Sequence, residues 1–485
     1  MRSDRSHLVF VFAALLMTLA AFEMITLLAQ PLLVHGLNFL GTRFAPSHNL
    51  AELADLAIRG LLAGAAVFAL LLGWSYREVF SRKHSAIFLG AAWGTTLAPA
   101  HWLGERFYHN FTHPHFFDFI CCFFLSGTVA AHGLNFYDPA NHQAIFDNLQ
   151  LPFTPGPDFF EEDRGDLDTG FLYPPPTMLY FVSLGYFDVL TAQLIWSVVS
   201  VLVLVLDIVL LRAIFFPAGE AASWPLAASV LLLCPATYRT VFFLQTTFIV
   251  LFLLLLFWRA QPRGAAWAAV AMFTKPFMGI LAIWLLLRRQ WRALFWFTLT
   301  AAAICIVTLL TFGPAIFQSY FTNNSVPRLH NVVYIESPNQ SLLAAILRLT
   351  DYDFSYSSPL LHPVFLLTAS LLGLITFFLA HRAREQDSRL TLGLMVVFAL
   401  LVYPATWNHL SLLLVPSLLL MYTMLQRSTA ASWLMPAFTA AVYAGMQVSS
   451  FIANLVVWAA LAALCVRQLV SNRAGSSWNA SSSEP

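Results

Sequence analysis

Residues 192–213 read AQLIWSVVSVLVLVLDIVLLRA, a run whose only charge before Arg212 is Asp207. A helix of that length is about 33 Å long at 1.5 Å per residue, enough to cross the hydrocarbon core of a bilayer. It has no polar face that would suit a soluble surface helix. Apolar runs of similar character recur near 8–33, 56–76, 85–103, 222–238, 243–258, 292–313, 359–380, 390–404, 408–425, 430–447 and 450–467. The composition agrees, with 59% hydrophobic and 10% charged residues, where a soluble domain carries roughly 25% charged. The expected fold is therefore an all-α polytopic membrane protein of about 12 transmembrane helices. Net charge is +1 and no Lys/Arg cluster is large enough to track a phosphate backbone, which excludes nucleic acid as a partner.

Lys and Arg orient the spans, since short cytoplasmic loops retain them. With the N-terminus inside, the cytoplasmic side collects Arg2, Arg5, Arg77, Arg212, Arg259, Arg288, Arg382 and their neighbours, leaving eight of the 25 Lys and Arg elsewhere. This predicts a multi-pass protein of the cell inner (plasma) membrane with both termini cytoplasmic. Counting 172–190, which opens with Tyr173-Pro174-Pro175-Pro176, as a span would invert every later loop. It is therefore expected to lie in the outer interface as a short helix with prolines at its start. Residues 264–287 are bracketed by Arg259 and Arg263 on one side and Arg288, Arg289 and Arg292 on the other, with Lys275-Pro276 between. They read as a broken re-entrant hairpin with Lys275 at its tip, or as one bent span.

Four regions follow: two extra N-terminal helices in 1–84, a central module in 85–425, C-terminal helices in 426–470 and an unstructured cytoplasmic tail in 471–485. The central module carries outer loops at 104–191 and 314–358. The first of these is acidic, with Asp118, Asp138, Asp147, Asp158, Glu161, Glu162 and Asp163 opposed by Arg106 and Arg164. Loops of this length on a membrane scaffold are usually functional or disordered.

Asp118 lies within His115-Phe116-Phe117-Asp118-Phe119-Ile120, and a carboxyl group among apolar side chains needs a partner or a task. Desolvation would make it a better base for a sugar hydroxyl; the alternative is a helix-capping or surface carboxylate. Lys275, one of two lysines, sits in Met272-Phe273-Thr274-Lys275-Pro276-Phe277 and requires an anion or a polar cavity. A phosphate suits it, as would snorkelling or pairing with Asp207 or Glu23. Arg239, Arg328 and Arg348 are placed on the outer side against the usual charge bias, as an anionic ligand would require. His409, after Trp407-Asn408, would orient a phosphate or hydroxyl, or serve as a satisfied interfacial histidine.

His109, His113 and His115 have loose metal-like spacing without a fixed carboxylate partner, so no metal and no cofactor is assigned. The five cysteines form no CxxC pair and read as small hydrophobes. Asn110-Phe111-Thr112 and Asn323-Asn324-Ser325 match glycosylation sequons. A Walker loop, a Rossmann fingerprint and a Gly-Xaa-Ser-Xaa-Gly elbow are all missing from the sequence, which disfavours a nucleotide-sugar donor.

A series of motifs then carries a resemblance. It runs through Asp118-Phe119, Gly133 with Tyr137-Asp138, and Phe171-Leu172-Tyr173-Pro174-Pro175-Pro176. Gln245, Thr274-Lys275-Pro276 with Arg288-Arg289-Gln290-Trp291-Arg292, Asn339-Gln340-Ser341-Leu342 and Trp407-Asn408-His409 follow. In order and spacing, from about 85 to 425, it resembles glycosyltransferase family 87, the polyprenol-phosphate-mannose-dependent mannosyltransferases of the GT-C superfamily. The resemblance implies a GT-C-like fold and an inverting transfer of a hexose, mannose in the family, from a polyprenyl-phosphate donor on the non-cytoplasmic face. The acceptor would be an unknown glycan or lipid, and membrane lipid the other partner. Asp118 would be the general base. Lys275, Arg239, His409, Gln245, Tyr173, Asn339, Gln340 and Arg328 would bind donor phosphate or substrate. Leu244 and Thr247 depart from the glycine and asparagine the family often shows around Gln245. A lipid or glycan flippase and a non-catalytic scaffold are the competing functions; the chain shows no internal repeat of the kind transporters carry.

Overall fold

The computed structural model describes residues 13–18, 50–112, 118–149, 173–216, 220–260, 263–323, 339–350, 359–383, 388–425 and 433–481, with Val11 and Phe171. In chain order the helices are α1 (Leu50–Ser75), α2 (Arg82–Thr112), α3 (Leu125–Ala131), α4 (Pro139–Asn148), α5 (Val189–Phe215), α6 (Ser223–Leu232), α7 (Pro235–Phe243), α8 (Thr247–Arg259) and α9 (Ala265–Thr274). They continue as α10 (Ile280–Leu287), α11 (Trp291–Phe312), α12 (Pro314–Asn323), α13 (Leu342–Thr350), α14 (Pro363–Arg382), α15 (Ser388–Val402), α16 (Val415–Leu425), α17 (Leu434–Val448) and α18 (Ser450–Ser481). Extended pairing among the described residues is limited to one antiparallel bridge, Asn339 to Trp407.

Five helical stretches are long and apolar enough to cross a membrane: Val189–Phe215, Trp291–Phe312, Pro363–Arg382, Asn408–Leu425 and Ser450–Ser471. The pair α6 and α7, bent by 64° before Pro235, makes up to six. The protein is thus an all-helical, multi-pass membrane protein, with fewer spans among the described residues than the 12 or so read from hydropathy. Part of the shortfall arises because hydropathy measures the length of an apolar run and not where its helix breaks; the runs 56–76 and 85–103 lie in the unbroken helices α1 and α2, which are not among the five. The runs 243–258 and 390–404 fold as helices of 13 and 15 residues, and the described part of 430–447 as one of 15 residues; 264–287, which was not counted among the 12, is interrupted at Lys275 where the sequence places the break. Most of the run 8–33 lies outside the described residues. At the other end α18 continues to Ser481, where an unstructured tail was expected; extending a helix that already exists costs little per residue.

The chain divides into two compact units. The first comprises residues 1–106, 208–239 and 411–457. Its helices approach closely through small residues: a Cβ at Gly64 of α1 would lie 2.7 Å from the Ala440 carbonyl oxygen of α17. Hydroxyls replace water as partners inside it, with Thr96 Oγ1 2.8 Å from Ser229 Oγ and the Tyr443 hydroxyl donating to the Val230 carbonyl at 2.5 Å.

The second unit, residues 107–207, 240–410 and 458–485, holds most of the sequence-expected site residues. Here α9 packs on α8 and α11, and α10 packs on α11, α14 and α15. Its aromatic core gathers Phe119, Phe123, Phe124, Phe136, Tyr137, Phe171, Phe181 and Trp196, with Phe123 stacked on Phe181 at 4.4 Å between ring centres. The proline-led stretch after Tyr173 forms two short 3₁₀ turns, Pro175–Tyr180 and Leu184–Tyr186, and no span. Proline fixes φ near −65° and lacks the N–H a longer helix needs, so three in succession favour this tight geometry. Leu184–Tyr186 packs directly on α3, because Gly127 and Gly185 let two backbones touch: a Cβ at Gly185 would fall on the Gly127 carbonyl group.

Candidate active site

Asp118 leads into a π-helical turn, Phe119–Phe124, that closes with the Leu125 N–H bonded to the Ile120 carbonyl, and then into α3. Such wide turns are uncommon and concentrate at functional sites. Phe119 and Phe123 anchor this turn in the aromatic core, leaving the partly exposed Asp118 at its edge. The end of α3 is closed by Gly133 at φ +72, with the Gly133 N–H on the Ala130 carbonyl and the Leu134 N–H on the Val129 carbonyl. This is the helix stop in which a left-handed residue satisfies the last carbonyls. Asp138 then caps α4, its carboxylate accepting from the Ala140 N–H at 3.1 Å with Pro139 in the first turn. The acidic motif residue Asp138 is thus accounted for by local structure.

Gln245 follows a second left-handed stop. Leu244 has φ +49, the Leu244 N–H bonds the Val241 carbonyl, and the Gln245 N–H bonds the Thr240 carbonyl. The backbone adopts here the conformation that glycine favours, although the residue is leucine. Two features hold it: the Leu244 side chain is buried, and the Trp196 indole N–H donates to the Leu244 carbonyl at 2.8 Å. Lys275 lies in the break between α9 and the 3₁₀ turn Pro276–Gly279, with extended backbone (φ −142, ψ 113). The break follows from Pro276, which disfavours helical geometry at the residue before it.

These segments, distant in sequence, meet. The Gln245 amide donates to Asp118 Oδ2. Lys275 Nζ donates to Gln245 Oε1 at 3.1 Å and to the Tyr173 hydroxyl at 2.8 Å, and it lies 4.5 Å from the centre of the Tyr173 ring. A continuous chain therefore runs carboxylate, amide, ammonium, phenol. Lys275 is buried and takes these partners instead of Asp207, whose two carboxylate oxygens are buried without a hydrogen-bond partner. Tyr173 is held in turn by the Tyr137 hydroxyl, which donates to its carbonyl at 2.6 Å. Burial, and then the nearby Asp118 carboxylate, push the Tyr173 phenol well above its ordinary value, so it stays neutral. Thr177 bonds the Phe273 carbonyl and the Tyr180 hydroxyl lies 3.1 Å from Thr274 Oγ1, fastening the proline turn beside the Lys275 break.

Other expected residues sit elsewhere. Asn339 is engaged by its own surroundings: its amide donates to the Pro404 carbonyl at 2.7 Å and accepts from the Ser341 N–H at 3.1 Å. The Gln340 N–H bonds the Thr406 carbonyl at 2.6 Å, and Arg348 donates to the Asn339 carbonyl at 3.0 Å. This strap fixes Trp407-Asn408-His409. His409 is buried, its ring 6.5 Å from that of Phe243, the last residue of α7. Arg239 belongs to the first unit. Arg328, His113 and His115 lie outside the described residues. Asn110 of the first sequon is buried, with its side-chain amide donating to the Val241 carbonyl and its backbone carbonyl accepting from Gln193, so it is no accessible glycosylation site. Sequence reasoning missed Trp196 and Thr177; the signal was a lone indole in a Leu/Val helix and a hydroxyl straight after three prolines.

Residues 171–404 match the family model of glycosyltransferase family 87. A little under half of the chain is thus similar to glycosyltransferase family 87. The family 87 segment contains Tyr173, Gln245, Lys275, Asn339 and Gln340, while Asp118 and His409 lie outside it. No curated protein and no solved structure matches the chain. The family 87 match supports an enzymatic, sugar-transferring function for this membrane protein.

Proposed function

We propose that the protein transfers a hexose, mannose by its family 87 likeness, from a polyprenyl-phosphate donor to a hydroxyl of a glycan or lipid acceptor. The transfer takes place on the non-cytoplasmic face of the inner membrane, with both termini cytoplasmic. Asp118 is the general base. It takes the proton of the acceptor hydroxyl as that oxygen attacks the anomeric carbon; the bond to the donor phosphate breaks with its electron pair, and the lipid phosphate departs. A single displacement inverts the anomeric centre and needs no second carboxylate to form a covalent intermediate. Lys275, with His409, meets the phosphate as its negative charge grows, the kind of electrostatic support that is strongest away from water.

The observation that carries this reading is the Asp118–Gln245–Lys275–Tyr173 chain, which sets a base and a cation one side chain apart. The test is transfer of labelled mannose from polyprenyl-phosphate mannose by purified wild type and Asp118→Asn. Loss of transfer in a variant that still elutes as a folded monodisperse protein is the expected result. Equal transfer by both proteins rules out Asp118 as the base, and movement of label across a vesicle without bond formation points to a flippase.

A further inference from the structure

Gln245 is 3% exposed, and both ends of its amide are bound to charged groups. Its N–H₂ faces the Asp118 carboxylate and its oxygen faces the Lys275 ammonium. Turned over, the amide would set oxygen against carboxylate and N–H₂ against ammonium, so one orientation alone satisfies both neighbours. The main chain is equally constrained, since Leu244 is fixed in the left-handed region by the Trp196 hydrogen bond and by burial of its own side chain. A side chain locked at its backbone and engaged at both polar ends is committed to Asp118 and Lys275. It holds its neighbours.

We infer that Gln245 is a positioning residue, which fixes the Asp118 carboxylate and transmits the Lys275 charge to it, and that it touches neither donor nor acceptor. The inference rests on Asp118 being the base. An amide N–H bonded to a carboxylate favours its ionised form, and an ammonium bonded to the far end of that amide polarises it further. The titratable groups around this chain are Asp118 and Cys122 on the π turn, Tyr173 before the proline turn, Lys275 at the break and Tyr403 after α15. Asp118 is the carboxylate among them.

The experiment compares wild type, Gln245→Glu, Gln245→Leu and Asp118→Asn, with kcat and donor KM measured across the acid range on polyprenyl-phosphate mannose. Gln245→Glu keeps the size of the side chain but places a second carboxyl against Asp118. It is expected to move the acid limb of the kcat/KM profile upward by about one pH unit. Gln245→Leu is expected to lower kcat roughly 10- to 100-fold with donor KM within about twofold of wild type, the pattern of lost alignment without lost binding. An unmoved acid limb in Gln245→Glu overturns the inference, as does a raised donor KM with retained kcat in Gln245→Leu. Should Gln245→Leu fail to fold, the isosteric Gln245→Glu decides alone. Transfer retained by Asp118→Asn removes the base assignment itself, whereas transfer lost in Asp118→Asn with an unmoved limb in Gln245→Glu removes only the role given to Gln245.

Discussion

Lys275 Nζ donates to the Tyr173 hydroxyl at 2.8 Å while sitting 4.5 Å from the centre of the same ring. The two contacts separate experimentally. Tyr173→Phe keeps the ring and removes the oxygen, and a hydrogen bond to a charged group contributes about 1.5–3 kcal/mol. Transfer by Tyr173→Phe is expected to fall about tenfold, and by Lys275→Met much further, since Lys275→Met leaves Gln245 Oε1 and the phenol without their common donor. Initial rates of labelled-sugar transfer check both. Equal losses in the two variants would show that the ring contributes nothing.

The backbone contact of Gly185 with Gly127 makes the proline turn sensitive to one methyl group. Overpacking of this kind costs about 1–3 kcal/mol. Gly185→Ala is expected to lower the melting temperature in detergent and to reduce activity further than stability, because displacement of the turn carries Tyr173 away from Lys275. A wild-type melting curve would show that the two backbones can separate freely.

Two non-glycine residues among those described occupy left-handed backbone, and their environments predict opposite outcomes. Arg289 has φ +56 and an exposed side chain, so Arg289→Gly is expected to stabilise by about 0.5–1 kcal/mol. Leu244→Gly gains the same relief but loses a buried leucine, for which truncation costs about 2–5 kcal/mol. The lost burial outweighs the backbone relief, and Leu244→Gly is expected to be destabilised. Thermal unfolding of the two variants side by side provides the check, and a stabilised Leu244→Gly would contradict this packing account.

Burial lowers the His142 imidazole from its ordinary value near 6.5. Its Nε2 lies 2.8 Å from Ser126 Oγ and its Nδ1 3.1 Å from the Asp138 carbonyl, joining α3 to α4. A histidine whose value is depressed on folding binds its proton more readily in the unfolded chain. Its contribution is therefore complete above the ordinary value and lost as pH falls below it toward the folded one. Melting temperature is expected to drop on acidification below about pH 6.5, and His142→Gln is expected to flatten that slope. An unchanged slope in His142→Gln would assign the acid sensitivity to other groups.

Asp118 and Lys275 stood out in the sequence, because a charged side chain in apolar surroundings is costly; Tyr173 and Gln245 entered as site residues only through the family resemblance. Their connection was not legible. It depends on contacts between segments many tens of residues apart, which no local pattern encodes, and periodicity says nothing about which buried groups face each other. Asn339 shows a contact that the motif did not reveal: its amide donates to the Pro404 carbonyl and accepts from the Ser341 N–H, tying together segments about 65 residues apart. The span count was overread for a related reason. Hydropathy does not register the break before Pro235 or the left-handed turn at Leu244, whereas the break at Lys275 was readable from Lys275-Pro276. The helix stop at Gly133 and the cap at Asp138 were local features, and they fell where local chemistry puts them.

The chain of four side chains closes only when its last member has been made. Lys275 emerges from the ribosome more than 150 residues after Asp118, a delay on the order of ten to thirty seconds at ordinary elongation rates. During that interval Asp118 has been made and the cation at the far end of its chain has not. A chain cut short before residue 275 therefore carries the carboxylate without the ammonium that the Gln245 amide links to it.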